Sequence, residues 1–381
     1  MDKAESKPAA KSGAGLEGVV AAESAIGDVD GVNGVLIYQG LDIHDLAEHS
    51  TFEETVYLLW HGRLPKRDEL DALKRELVAN QRVPEEVLAL MRSFPPEAEP
   101  MDALRTAVSA LGFYDPGSRD LSREGALRTA TKLTAQFPVV VAAFERLRKG
   151  QEPVEPRDDL NIASNFLYML TGEEPGEREA RIFDACLILH ADHELNASTF
   201  TARVIAGTLA DMYGAVTGAI AALSGPLHGG ANTNVMKMLL EIGEPARADE
   251  WLREALASKK KIMGFGHRVY KTEDPRSVWL RKFSRELAEA KGETRWIEIL
   301  ERLRELMFAE KKLYPNVDYY SGSAYYLMDI PLDLFTPIFA VSRISGWTGH
   351  VLEQYANNRL IRPRAEYVGP RGVKYVPIDE R

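Results

Sequence analysis

The 381-residue chain has one cysteine, so no disulfide can form within it, and a reducing, cytoplasmic setting is the expectation. Cys186 sits in the apolar run 182–189 and reads as a small buried hydrophobe. Positive charge is also outnumbered, with 47 Lys and Arg against 57 Asp and Glu. A formal net charge of −10 argues against any general affinity for nucleic acid or an anionic membrane. No apolar run is long enough to cross a bilayer, since the most apolar stretch, 213–223, is short and rich in alanine and glycine. It reads as a close-packed helix suited to a subunit interface. Residues 1–14 lack the apolar core of a signal peptide and are expected to form a disordered tail. There is no Gly-x-x-x-x-Gly-Lys loop, and strand-like runs are few.

Helical periodicity, by contrast, recurs over 69–79, 103–111, 126–147, 162–170, 178–189, 199–209, 249–257, 277–290, 296–310 and 337–355. Thr51 and Glu54 form a capping-box pattern before an apolar run that stops at Gly62. The turn signals Asp30-Gly31 and Asn33-Gly34 before Val35-Leu36-Ile37-Tyr38 suggest an opening hairpin, and 366–376 suggests a closing one. The fold class is mainly α with minor β-hairpins at the ends.

Three segments each present one reactive side chain at a turn signal, glycine in Gly225-Pro226-Leu227-His228-Gly229-Gly230 and Gly264-Phe265-Gly266-His267-Arg268 and Pro-Asn in Pro315-Asn316-Val317-Asp318. His228 precedes a predicted helix, whose positive N-terminal end favours a neutral imidazole able to donate to a developing oxyanion. Around His267 the local charge reverses, with eight Lys or Arg residues against Glu273 and Asp274 between 258 and 282. Joined to Asp274-Pro275-Arg276, this cluster suits phosphates and carboxylates. Asp318 lies among aromatic residues, where a carboxylate has a raised pKa and becomes a stronger base. His190 and His193 raise the question of zinc, but one cysteine and no His-Glu-x-x-His spacing favour a substrate-binding His193 and no metal.

Together these segments, with His190-Ala191-Asp192-His193-Glu194-Leu195-Asn196, resemble the citrate synthase family, from Gly15-Leu16-Glu17-Gly18 to Arg362-Pro363. The resemblance implies a large helical domain, 15–228 with 327–381, and a small mobile one, 229–326, in a homodimer with shared active sites. It implies that acetyl-CoA condenses with oxaloacetate and that the citryl-CoA formed is hydrolysed, with the CoA thioester as co-substrate and no tightly bound cofactor. Asp318 would be the base, His228 the enolate stabiliser and His267 the proton donor. His193, Arg276 and Arg343 match the oxaloacetate-binding positions, and Arg362 matches the arginine lent by the other subunit. Lys261, Gly264, Gly266, Lys271 and Lys311 would lie along CoA.

A 2-methylcitrate synthase uses the same residues with propionyl-CoA and is the nearest rival. A non-catalytic helical interaction protein would explain the helices but not the His228, His267 and Asp318 constellation. A zinc hydrolase is the third reading, which retained activity after chelation would remove, and an ATP-dependent citrate lyase lacks nucleotide-binding segments.

Overall fold

Local signals fix many of the helix ends in the computed structural model, which describes residues 14–16 and 18–381. The expected tail, 1–14, lies outside the described residues save for the backbone of Ala14. Both arms of the Thr51/Glu54 capping box form, and Gly62 closes the same helix at φ 74°. Sixteen α-helices are present among the described residues. The first ten are α1 (Ile43–His49), α2 (Phe52–His61), α3 (Arg67–Asn80), α4 (Glu85–Arg92), α5 (Pro100–Leu111), α6 (Arg123–Arg148), α7 (Ile162–Thr171), α8 (Glu177–His190), α9 (Ala197–Ala206) and α10 (Met212–Leu223). The remaining six are α11 (Ala231–Ile242), α12 (Ala248–Ala257), α13 (Pro275–Lys291), α14 (Arg295–Lys311), α15 (Val317–Leu327) and α16 (Phe335–Ala356).

The two longest, α6 and α16, pack on each other and are buried along most of their length, which makes them the axis of the core. Helices α2, α5, α8, α9 and α10 gather on α16, while α11 to α15 pack chiefly among themselves. The second group reaches the first through α13 against α1 and α8 and through α11 against α16.

The opening hairpin is extended by one strand into an antiparallel sheet β1 (Gly27–Asp30), β2 (Val35–Tyr38) and β3 (Leu41–Asp42). Gly27 faces Tyr38 and Asp30 faces Val35, and Leu36 and Tyr38 point into the core. The closing hairpin does not form: 366–376 has no strand and almost every residue is exposed. A two-stranded ribbon with no buried face is marginal in water. Six helices lie outside the periodicity ranges: α2, α10 and α11 are marked by a capping box, an apolar run and the segment after His228, while α1, α4 and α15, at most 11 residues long, offer few turns to repeat.

Candidate active site

The segment 190–198, from the end of α8 to the start of α9, is held at three points by one face of α16. Arg343, Trp347 and His350 are four and three residues apart and share that face. Arg343 Nε donates to the His190 carbonyl (2.7 Å), Trp347 Nε1 to Ser198 Oγ (3.0 Å) and His350 Nε2 to Asp192 Oδ1 (3.1 Å). Arg203 donates to His350 Nδ1, which leaves the ring proton on Nε2, facing Asp192. Arg343 is 1% exposed, and among the described residues no carboxylate lies within ion-pair distance of it. Burial lowers its pKa to about 10.

The loops that carry His267 and Asp318 are zipped together. Phe265 and Pro315 form an antiparallel bridge, Asn316 N donates to the Gly264 carbonyl (2.9 Å), and Gly266 N donates to the Tyr314 carbonyl (2.9 Å). Asn316 Nδ2 adds a bond to the Gly266 carbonyl (2.9 Å). Gly264 is required here: its φ is +80°, and a Cβ would come within 2.7 Å of the Tyr319 ring. Asp274 binds both sides of this seam. Its Oδ1 and Oδ2 accept from Arg276 Nε (2.9 Å) and an Arg276 Nη (2.7 Å), and Oδ2 also accepts from Val317 N (3.1 Å). This ion pair is buried, with the Asp274 carboxyl held below the usual range by Arg276 despite its burial.

Backbone donors set the tautomers of two histidines. Ser198 N donates to His228 Nε2 (3.2 Å), which leaves the ring proton on Nδ1, and the Ser198 hydroxyl lies 2.8 Å from the same nitrogen. Val269 N and Tyr270 N donate to His267 Nδ1 (3.0 and 3.1 Å), which leaves its proton on Nε2. Burial, reinforced by Arg343 for His228 and by Arg276 for His267, lowers both pKa values to about 4. Both rings are therefore neutral donors near neutral pH. The helix after His228 begins only at Ala231, so its neutrality is due to burial and Arg343, not to the helix end expected from the sequence.

His193 bonds Tyr270 Oη through Nε2 (3.2 Å) and packs edge-on against His267, with ring centres 5.2 Å apart. Burial first, then Arg276 and His267, holds its pKa well below the ordinary value. Asp318 enters on the first turn of α15 and shares a small cavity with His228, Asn232 and Phe339. Burial raises its pKa to about 6, against the pull of Arg276 and Arg343. Roomier hollows lie between α3, α6 and α7 and along 359–363, but neither contains a histidine; His228 and Asp318 meet at the smaller one.

The structure thus brings His193, His228, His267, Arg276, Asp318 and Arg343 into one connected set. Lys261, Lys271 and Lys311 are exposed, Lys261 and Lys271 at either end of the 264–270 loop. Arg362 is exposed in the groove along 359–363 and contacts none of that set. His190 is a packing residue: its Nδ1 donates to the Cys186 carbonyl (2.7 Å) and its ring lies against Phe339. No metal-binding cluster of His, Cys, Asp or Glu occurs among the described residues. The sequence reading did not single out Ser198, Tyr270, Asp192 or His350; Asp192 falls inside a quoted motif, while His350 shows its role only through its helical spacing from Arg343.

The family model described as "Citrate synthase, C-terminal domain" matches residues 15–364. The chain belongs to the citrate synthase family. It is 55% identical over 368 residues to citrate synthase 2 of Bacillus subtilis, covering 96% of this chain and 98% of that one. It is 44% identical over 358 residues to the citrate/2-methylcitrate synthase of the same organism, covering 94% and 96%. Among solved structures, the ternary complex of Thermoplasma acidophilum citrate synthase with carboxymethyl coenzyme A and oxaloacetate superposes with a TM-score of 0.91. That enzyme is 34% identical, with 97% of this chain and 99% of the other covered. The mainly helical fold is that of the family, and the chain is an enzyme of the citrate synthase type. No described helix is long and apolar enough to cross a membrane.

Proposed function

We propose that this protein condenses acetyl-CoA with oxaloacetate and hydrolyses the resulting citryl-CoA to citrate and CoA. The observation that carries this reading is the opposition, across one small cavity, of a carboxylate with a pKa of about 6 and a neutral histidine whose free proton is on Nδ1. Ionised Asp318 takes a methyl proton from the thioester, and His228 Nδ1 donates to the thioester oxygen as the enolate forms. The enolate carbon then attacks the oxaloacetate ketone, while His267 Nε2 gives its proton to the ketone oxygen, which becomes the hydroxyl of citryl-CoA. Water cleaves the thioester. Burying such an enolate away from solvent strengthens each of these hydrogen bonds.

His193, Arg276 and Arg343 hold the dicarboxylate. Buried guanidinium groups suit a strongly hydrated dianion because they return charge-assisted bonds for the lost water. CoA runs past Gly264 and Gly266, with Lys261, Lys271 and Lys311 near its phosphates. The support for this path is the exposure of the three lysines. Arg362, exposed and apart from the other groups, reaches the site of a second subunit in a homodimer. Residues 229–326 act as a small domain that closes on a large domain of 15–228 and 327–381. The packing of α11 to α15 chiefly among themselves supports that division. One buried cysteine and no disulfide partner support a reducing, cytoplasmic setting.

The similarity to a citrate/2-methylcitrate synthase favours a second reading in which propionyl-CoA is also accepted. One methylene in an apolar pocket is worth about 1–3 kcal/mol, or roughly 10- to 200-fold in rate. Turnover of acetyl-CoA and propionyl-CoA with oxaloacetate, read as free thiol and by mass spectrometry of the acid product, decides between them. The proposal expects citrate and a kcat/KM for acetyl-CoA at least about tenfold higher. A preference for propionyl-CoA selects the second reading, and no product from either sinks both.

A further inference from the structure

The turn joining β1 to β2 is used by none of the chemistry above, yet it bears directly on His267. It is braced by its own polar groups. Asp30 Oδ1 accepts from Val32 N (3.0 Å) and Asn33 N (2.9 Å), Asn33 Nδ2 donates to Asp30 Oδ2 (2.6 Å), and Gly34 N donates to the Asp30 carbonyl (2.9 Å). The root of the hairpin is equally fixed. The Tyr38 hydroxyl donates to the Asp192 carbonyl (2.9 Å) and lies 3.2 Å from Asp192 N, one residue from His193, and Tyr38 itself is fully buried.

The tip of this braced hairpin meets the segment after His267. Lys271 N donates to the Gly31 carbonyl at 2.7 Å. There is no room for a side chain on Gly31, where a Cβ would stand 2.3 Å from the Val269 carbonyl oxygen and 2.9 Å from Val269 Cγ1. Gly34 abuts the same segment, with a Cβ position 2.7 Å from Thr272 Cγ2. Val269 and Tyr270 are the residues whose amides hold His267 Nδ1 and so fix the ring's tautomer and direction. The contact therefore runs from a glycine in the turn, through one residue, to the nitrogen that decides where the His267 proton sits.

We propose that the β1–β2 turn is a positioning clamp for His267, with Gly31 as its contact residue. The hairpin then ties two histidines together, His193 at its root through Asp192 and His267 at its tip through Val269, which accounts for their edge-on packing at 5.2 Å. Gly31 touches no reacting atom. It acts by letting the Val269–Tyr270 backbone lie where its amides reach the imidazole. A methyl group there displaces that backbone, because the opposing atom is a carbonyl oxygen and not a movable side-chain end.

The effect on turnover rests on the reaction proposed above, while the effect on the ring does not, and the test reads both. The full chain, labelled with ¹⁵N-histidine, is prepared as wild type, Gly31→Ala and Val32→Ala, with His267→Gln used to assign the resonance. Wild type should give the neutral Nε2–H pattern at His267. In Gly31→Ala that pattern should be lost or split and kcat should fall by about 10- to 100-fold, the scale of a misplacement near 1 Å. Its thermal unfolding should stay near wild type. Val32→Ala, at a solvent-facing side chain of the same turn, should match wild type in both readings. If Gly31→Ala does not fold, Asp30→Ala removes the brace without adding an atom. It should lower kcat by a smaller factor and speed hydrogen exchange at the Lys271 amide. A wild-type ring pattern and wild-type turnover in whichever of the two variants folds overturns the clamp. If wild type itself forms no citrate, the reaction proposal fails, and the ring pattern alone still decides whether the turn positions His267.

Discussion

Arg276 enters the site from the α13 side already bound to Asp274, which takes two of its nitrogens and a backbone amide of α15 as well. Arg343 enters from α16 at similar depth but holds only a carbonyl oxygen and the face of Phe339, with its guanidinium carbon 4.5 Å from the ring centre. The first is a neutral pair that builds structure, tying the loop after His267 to the first turn of α15. The second is a buried positive charge with no carboxylate within ion-pair distance among the described residues. Burying an unpaired charge is costly, so such a residue stabilises the molecule only when a ligand supplies the countercharge. Asp318 is the matching case of opposite sign. It stands one residue from the amide that Asp274 accepts, but no cation lies within ion-pair distance of it among the described residues, and burial raises it to about 6. One half of the site is paired within the protein before substrate arrives, and the other gains its countercharge only from substrate.

The comparison breaks most sharply at Asp318. Asp318→Asn keeps the shape and removes the base, so condensation should fall by about 10²- to 10⁴-fold with the unfolding temperature unchanged or raised. Near-normal turnover of the purified variant would remove Asp318 from the reaction. Next come the two arginines. Arg276→Met leaves Asp274 buried without its partner and should cost about 3–5 kcal/mol of stability. Arg343→Met should cost little or no stability, yet raise the KM for oxaloacetate by about 10- to 100-fold, from the loss of charged hydrogen bonds worth about 1.5–3 kcal/mol. Denaturant melts and oxaloacetate titrations of both variants measure this. Equal destabilisation by the two changes would mean that Arg343 is paired after all.

The same distinction explains which parts of the site were legible in the sequence. Asp274 and Arg276 are two residues apart, and His228, His267 and Asp318 each stand beside a turn signal, so local pattern was enough. Arg343 sits mid-way along an otherwise buried helix and could be marked only by its place in the family pattern. The tautomers were not legible, because the amides of Ser198, Val269 and Tyr270 set them through folded geometry. Helix ends with caps were read well, as at Thr51 and Gly62. The closing hairpin was misread because 366–376 has the alternation of a strand pair but no surface in its own chain to bury it against.

A smaller effect sharpens the electrostatic half of the comparison. An unpaired base whose pKa is about 6 must lose its proton to act, so kcat/KM should rise with pH through about 6 on the acid side. His228 and His267, at about 4, are already neutral across that rise and add no second limb to it. A midpoint near 4 would mean that Asp318 is solvated as an ordinary carboxylate.

The smallest effect concerns a buried acid outside the site. Asp184 on α8 is 3% exposed, accepts from Phe52 N (3.2 Å), and is pushed up to about 8 by burial and then by Glu53. Glu53, equally buried, accepts from Ile162 N (2.9 Å) through one oxygen and has no partner for the other. Below about 4 the Asp184 carboxyl is protonated in both the folded and the unfolded chain and carries no penalty. Between about 4 and 8 the folded protein keeps a proton that the unfolded chain has released, so stability falls as pH rises through that window. Asp184→Asn retains an acceptor for Phe52 N and cannot ionise. Its unfolding temperature should exceed that of wild type at pH 8, and the gap should close towards pH 4. Turnover should not change, because the residue touches no group of the site. Parallel stability profiles for wild type and variant from pH 4 to 8 would show that Asp184 is ionised throughout. Arg181, whose Nη1 lies 3.7 Å from Asp184 Oδ2, would then suffice to hold a buried carboxylate charged, and burial would no longer by itself separate the core acid from the charges that wait for substrate.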